Sequence, residues 1–152
     1  METLVHGTCV ALGSSCALLR GPSGAGKSDL ALRFLYLPME ALKARPALVA
    51  DDQVMLRRMA GGIVASCPPA LAGRIEVRGL GIVRMAACAE EATLTLIADL
   101  DGSGGYPRFP ETDRWETVLG LQVPRIVLNP FEHSSPVKLA LALQNLTELS
   151  VD

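Results

Sequence analysis

A phosphate-binding motif constrains the fold of this chain more than any other feature. Residues 21–28 read GPSGAGKS and match the pattern G-x-x-x-x-G-K-[ST]. In that pattern the glycines let backbone N–H groups point at phosphates, the lysine contacts the β- and γ-phosphates, and the serine hydroxyl ligates Mg²⁺. An apolar run at residues 16–19 predicts a strand before the motif, and residues 29–35 predict a helix after it. The helix N-terminus then adds its dipole to an anion site.

We therefore expect ATP or GTP to bind at this loop together with Mg²⁺. A guanine-reading N-K-x-D segment is absent from the sequence, which favours ATP. The alternative interpretation is an ordinary glycine-rich turn. The predicted nucleotide-binding residues are Gly21, Pro22, Ser23, Gly24, Ala25, Gly26, Lys27, Ser28 and Asp29.

Length and composition predict one folded globular domain. The chain has 152 residues, of which 49% are hydrophobic and 20% are charged, and this length suits a single core. The net charge of -2 and the absence of a basic run argue against a nucleic-acid-binding surface. We expect no targeting segment and no membrane-spanning segment.

The cysteines predict a reduced, cytoplasmic setting. The four cysteines show no C-x-x-C spacing and no paired histidines, so a zinc site is not expected. We expect them to be small core residues, and they are Cys9, Cys16, Cys67 and Cys88.

The first 20 residues predict a β-hairpin. Residues 5–12 are apolar, residues 13–15 form a turn cluster, and the strand that enters the phosphate loop follows. In such a hairpin, facing residues have numbers that sum to about 27 to 29, which places His6 across from residues 21–23. A histidine there can hold a carboxylate or contact a phosphate. The alternative is a surface histidine at the start of a strand.

Two acids follow a short apolar run. Residues 47–50 predict a buried strand that leads into Asp51 and Asp52. In phosphate-loop proteins a carboxylate at the end of a neighbouring strand holds Mg²⁺, and an adjacent acid serves as base. Adjacent strand side chains point to opposite faces, so only one acid is expected to face the γ-phosphate unless the strand ends between them. The apolar run at residues 94–98 is also followed by an acid, Asp99. The residues alone do not decide which of the two runs supplies the carboxylate that holds Mg²⁺.

Residues 74–83, RIEVRGLGIV, alternate with a period of two and place Glu76 and Arg78 on one face of a strand. If that face meets the nucleotide, it supplies a carboxylate beside the metal and a guanidinium beside the phosphates. Otherwise the two residues form a solvated ion pair. Both interpretations stay open at this point.

The rest of the chain carries both strand and helix signals. Residues 54–56 and 63–65 predict a second hairpin, and residues 101–110 predict a loop. Helices are predicted over residues 39–45, 112–119 and 136–149. The apolar stripe of the last helix is predicted to lie in the core and comprises Val137, Leu141, Leu143, Leu146 and Leu149.

Four segments together resemble the catalytic domain of the HPr kinase/phosphorylase family. They are His6-Gly7 at a strand start, GPSGAGKSD, LVADD and IEVRGLGIV, and they occur in the family's order and approximate spacing over about residues 4 to 129. The resemblance implies an α/β P-loop nucleotide-binding domain with a mixed sheet, similar to the nucleotide-binding core of phosphoenolpyruvate carboxykinase. We expect one catalytic domain over residues 1–152, without the N-terminal domain of many members.

The resemblance also implies a reaction. The family uses Mg-ATP to phosphorylate a serine of the phosphocarrier HPr, and commonly removes that phosphate by phosphorolysis. Carried over by position, the catalytic residues are Asp51 as base, its neighbour Asp52, His6 and Arg78. The metal ligands are Ser28, Glu76 and Asp51, and Arg108 is a weaker candidate for contact with phosphate or partner.

One segment departs from the family. Where the family usually has the basic stretch P-V-R-P-G-R-N, residues 129–135 read NPFEHSS. Two phosphate-attracting arginines are therefore missing, so we expect weak phosphorolysis. The family's hexamer is not carried over, and a homo-oligomer stays open. Two other functions also stay open: a P-loop kinase for a small metabolite, and a module that binds ATP without transferring phosphate.

Overall fold

The computed structural model describes residues 1–38, 40, 42–103 and 114–145. Within these residues, nine strands form one sheet, two strands form a separate small sheet, and two α-helices are present. A short 3₁₀ turn, Pro69–Leu71, precedes the small sheet. The strands are β1 (Glu2–His6), β2 (Thr8–Leu12), β3 (Ser15–Arg20), β4 (Pro46–Ala50), β5 (Gln53–Met59), β6 (Gly62–Ser66), β7 (Arg74–Val77), β8 (Gly81–Arg84), β9 (Glu91–Leu100), β10 (Trp115–Val118) and β11 (Leu121–Leu128), and the helices are α1 (Lys27–Leu35) and α2 (Ser135–Gln144).

The main sheet is mixed, as predicted. Its strand order is β1-β5-β6-β9-β3-β2-β4, with β11 beside β9 and β10 paired to β11. Strands β3 and β11 run parallel to β9, and the other neighbouring pairs are antiparallel. Strands β4 and β6 are not neighbours in this order but contact each other, because the sheet curls. The predicted hairpin of β5 with β6 is present.

The core lies on both faces of the sheet. On β2 and β3, Val10 and Leu19 face the two helices, and they pack with Phe34 of α1, which is fully buried. The alternating residues Cys9 and Leu18 face the opposite side and pack against β5 and β6. Strands that are buried on both faces read as continuous apolar runs, which explains the pattern of residues 8–12 and 16–19.

The N-terminal hairpin is shorter than predicted. Strands β2 and β3 pair as expected, with Leu12 opposite Ser15. Gly7 interrupts the strand, however, and its N–H donates to the Asp52 carbonyl at 3.0 Å. His6 therefore belongs to β1 and pairs with Gln53 of β5, so the predicted pairing with residues 21–23 is wrong.

Two helix predictions are wrong in the described residues. Over residues 112–119, the segment Trp115–Val118 is a strand, and residues 112 and 113 lie outside the described residues. Its turn carries positive φ at Leu119 (47°) and Gly120 (83°), which is the backbone of a two-residue hairpin. Residues 42–45 are also not helical, because a run this short before Pro46 lacks the length to nucleate a helix.

The last helix buries a different stripe from the predicted one. Leu143 is buried as expected, but Val137 and Leu141 are half exposed, and residues 146 and 149 lie outside the described residues. The buried face instead centres on Leu139 and Ala140. Because α2 is apolar around most of its circumference, periodicity did not distinguish the two stripes.

The cysteine prediction is correct for two of four thiols. Cys9 and Cys16 are fully buried, whereas Cys67 is partly buried and Cys88 is exposed. A hydrogen bond with Cys16 and burial together raise the pKa of the Cys9 thiol. All four thiols are free.

Candidate active site

A cavity of about 510 Å³ opens between the phosphate motif, the end of β4 and the β7–β8 hairpin. Several predicted site residues line it, although they come from segments far apart in the sequence. They are Ser23, Gly24, Gly26, Lys27, Ser28, Asp29, His6, Asp51, Asp52, Glu76 and Arg78. Gly21, Pro22 and Ala25 belong to the same loop but do not line the cavity, and Arg108 lies outside the described residues.

The phosphate motif forms a tight loop between β3 and α1. Gly24 and Gly26 adopt positive φ values of 85° and 96°, and Gly26 is the N-cap of α1. Lys27 begins the helix, and its Nζ donates to the carbonyl oxygens of Gly21 at 2.6 Å and Pro22 at 3.0 Å. An ammonium group has three N–H donors, so one remains for a phosphate oxygen.

Asp51 joins three elements at the end of β4. Its Oδ1 accepts hydrogen bonds from the hydroxyl groups of Thr8 at 2.8 Å and Ser28 at 2.9 Å. Its Oδ2 accepts one from the backbone N–H of Glu76 at 3.1 Å. The residue is only 8% exposed, so these donors replace water around a buried carboxylate. Sequence reasoning missed Thr8, which carries no recognisable motif.

Asp52 also reaches the cavity, because β4 ends at Ala50, before both acids. Asp52 has a positive φ of 74°, which turns the chain sharply. Its Oδ1 lies 3.3 Å from Nδ1 of His6, and both side chains are more than half exposed. His6 is thus beside a carboxylate at the mouth of the cavity, although it arrives there on β1.

Glu76 and Arg78 line the cavity from the β7–β8 hairpin. Arg78 lies in the turn after β7, and Val77 between the two residues also lines the cavity, so their placement does not follow from strand alternation. The rival acid Asp99 does not line the cavity.

Asp99 instead belongs to an ion-pair cluster of Arg20, Asp99, Glu116 and Arg125, which we call the Arg20 cluster. Asp99 accepts from Arg20 Nε at 2.8 Å and from Arg125 Nη1 at 3.0 Å, and Glu116 also pairs with Arg20. Hydrogen bonds from Arg20 to Asp99 and Glu116 raise the pKa of its guanidinium above the ordinary value. Sequence reasoning missed this cluster.

The donor set suits Mg²⁺ bound together with phosphates. Asp51 and Ser28 present oxygen atoms in direct contact, and Glu76 adds a carboxylate to the cavity wall. Mg²⁺ typically takes one or two protein carboxylates and completes its shell with phosphates and water. In the described part of the chain no group of three His, Cys, Asp or Glu side chains could hold a metal, so a cage made only of protein is not present there.

The family follows from comparison with known proteins. Residues 1–140 match the family described as HPr Serine kinase C-terminal domain. The chain belongs to this family. An HPr kinase/phosphorylase of Bordetella petrii is 34% identical over 136 residues, which cover 83% of this chain and 42% of the relative. One from Clostridium botulinum is 29% identical over 84% of this chain and 42% of the relative. The chain thus spans about two-fifths of the length of these relatives.

A solved structure shares the fold. The Hpr(Ser) kinase/phosphatase structure from Coxiella burnetii superimposes with a TM-score of 0.78 at 23% identity, over 96% of this chain and 97% of that one. No helix among the described residues has the length and apolar character needed to cross a membrane.

Proposed function

We propose that this domain transfers the γ-phosphoryl group of ATP to a serine of an HPr-like phosphocarrier protein. The observation that carries the proposal is the contact of Asp51 with Ser28, directly after Lys27, in a cavity that Glu76 and Arg78 also line. We infer an HPr-like partner because the relatives are named HPr kinase/phosphorylase. The P-loop core and its likeness to phosphoenolpyruvate carboxykinase are part of the same proposal.

The loop and its lysine position the triphosphate. Backbone N–H groups of the motif and the free donor of Lys27 hold the phosphate oxygens, and the α1 N-terminus adds its dipole. Ser28, Asp51 and Glu76 would hold Mg²⁺, which neutralises charge that develops on the transferring phosphoryl group. Arg78 adds a guanidinium to the cavity wall for the same charge.

Asp51 is the proposed base. As the serine oxygen forms its bond to the γ-phosphorus and the bond to ADP breaks, Asp51 takes the serine proton. Asp52 is a second candidate for this step, because its carboxylate is exposed to an incoming substrate and lies beside His6, whereas Asp51 already accepts three hydrogen bonds. Substitution of each acid in turn distinguishes the two candidates.

A reduced, cytoplasmic setting is proposed from the four free thiols.

The test is incubation of the domain with Mg-ATP and the host's HPr, followed by mass spectrometry for phosphoserine. We expect one phosphate on one serine. ATP binding without transfer to HPr would favour the ATP-sensing module, and transfer to a small molecule in a metabolite extract would favour the metabolite kinase.

A further inference from the structure

Phe131 is an exposed aromatic side chain on the wall of the nucleotide cavity. It is 66% exposed and lines the cavity together with the phosphate motif. Among the cavity-lining residues of the described structure, it is the only phenylalanine, tyrosine or tryptophan. It lies in the segment at residues 129–135 that departs from the family's basic stretch.

The backbone around Phe131 is held in place by α1. The guanidinium of Arg33 donates to the carbonyl oxygens of Pro130 and Glu132, the latter at 3.2 Å. The Phe131 N–H donates to Asn129 Oδ1 at 3.0 Å. The bonds from Arg33 tie the backbone of the segment to the same helix that begins at the phosphate loop.

Two glycines make room for the ring. A methyl group on Gly102 would lie 2.5 Å from Cε2 of Phe131, so a side chain there would displace the ring. On its other side, Cε1 would lie 3.6 Å from a methyl group on Gly26, the N-cap of α1. The ring therefore sits between the end of β9 and the start of α1, and most of its surface stays open.

We propose that Phe131 stacks against the base of the bound nucleotide. Apart from Leu32 and Val77, the other side chains that line the cavity are polar or charged, whereas a base offers a flat π-face that aromatic side chains stack on. This inference rests on the proposed function, since it assumes a nucleotide in the cavity. It assigns the recognition of the nucleoside to a residue outside the phosphate motif.

Comparison of two ligands tests the assignment, because inorganic tripolyphosphate carries the phosphates of ATP without the nucleoside. Calorimetry of the Phe131→Ala variant should show Mg-ATP binding weakened about 10-fold and Mg-tripolyphosphate binding within about twofold of the parent. Phe131→Tyr, which keeps a ring, should bind both ligands as the parent does. Trp115→Ala, an exposed aromatic on β10 that does not line the cavity, is the matched control and should change neither affinity.

Equal weakening of both ligands by Phe131→Ala would show that the ring only supports the loop, and no weakening would show that it does not touch the nucleotide. Either result overturns the inference while the kinase proposal stands. A parent protein that binds Mg-ATP with this selectivity but phosphorylates no HPr would instead overturn the proposed function alone. A parent protein that binds neither ligand would overturn both.

Discussion

At the scale of single residues, two charged side chains of the cavity are held in place by hydrogen bonds to the protein itself. Lys27 is 8% exposed and is held by two carbonyl oxygens of its own loop, and Asp51 is held by two hydroxyl groups and one backbone N–H. Hydrogen bonds to neighbouring protein groups, and not to water, therefore fix the positions of both side chains. Substitutions at these residues therefore test the chemistry directly.

Lys27→Ala is expected to weaken Mg-ATP binding by at least about 10-fold, since a charge-assisted contact to phosphate contributes about 1.5 to 3 kcal/mol. The measurement is calorimetric titration with Mg-ATP. Lys43→Ala, an exposed lysine that does not line the cavity, is the control. An unchanged dissociation constant for Lys27→Ala would rule out the assigned site.

Asp51→Asn is expected to lower kcat about 10²- to 10⁴-fold, with a much smaller change in the dissociation constant of Mg-ATP. The amide keeps the shape of the side chain but cannot take the serine proton. Asp52→Asn should retain most of the turnover. If the two variants show the opposite pattern in phosphoserine formation, the base is Asp52, and Asp51 serves to position Ser28 and to hold Mg²⁺.

At the scale of elements, the Arg20 cluster joins four strands beside the phosphate loop. Arg20 is the last residue of β3, directly before the motif, and it pairs with acids on β9 and β10. Arg125 adds β11 to the same cluster. The side chains are about one-third exposed, so their contribution lies between those of surface and buried ion pairs.

Arg20→Ala is expected to lower the free energy of unfolding by about 1 to 2 kcal/mol, because two acids lose their shared partner. Urea denaturation measures the change. The control is Arg57→Ala, which breaks the more exposed pair with Glu91 and should cost less than about 0.5 kcal/mol. Equal losses in the two variants would show that the Arg20 cluster adds no more than an ordinary surface pair.

At the scale of the whole molecule, the balance between kinase and phosphorolysis depends on how many anions the cavity can hold. Phosphorolysis requires inorganic phosphate beside phosphoserine, and the segment at residues 129–135 contributes Glu132 and no arginine. Nearby Arg33 is occupied by carbonyl oxygens of that segment and by Asp29. Arg78 is the cation that remains on the described cavity wall besides Lys27.

We therefore expect phosphorolysis to be slower than the forward kinase reaction. Purified phospho-HPr is incubated with the domain and millimolar phosphate, and pyrophosphate release is followed. Release as fast as the kinase reaction would show that the missing arginines are not needed for a second anion.

The sequence alone was sufficient to predict structural features that depend on residues close together in the chain. The phosphate motif between a strand and a helix, the turn between β2 and β3, and the hairpin of β5 with β6 all depend on hydrogen bonds and side-chain periodicity within a few residues. The order and spacing of four short segments also identified the family, which the match over residues 1–140 confirms.

Only the tertiary structure decided which distant groups meet. Thr8 and Asp51 are 43 residues apart, and Arg20 and Glu116 are 96 apart, so neither contact appears in any local pattern. The partner of β1, the strand character of Trp115–Val118 and the buried face of α2 were likewise set by what each segment packs against. The physical reason is a difference in free energy. The intrinsic preference of a short segment for helix or strand is smaller than the free energy gained when its apolar side chains are buried and its backbone pairs with another strand. Long-range packing therefore decides the structure of any short segment that can adopt either one.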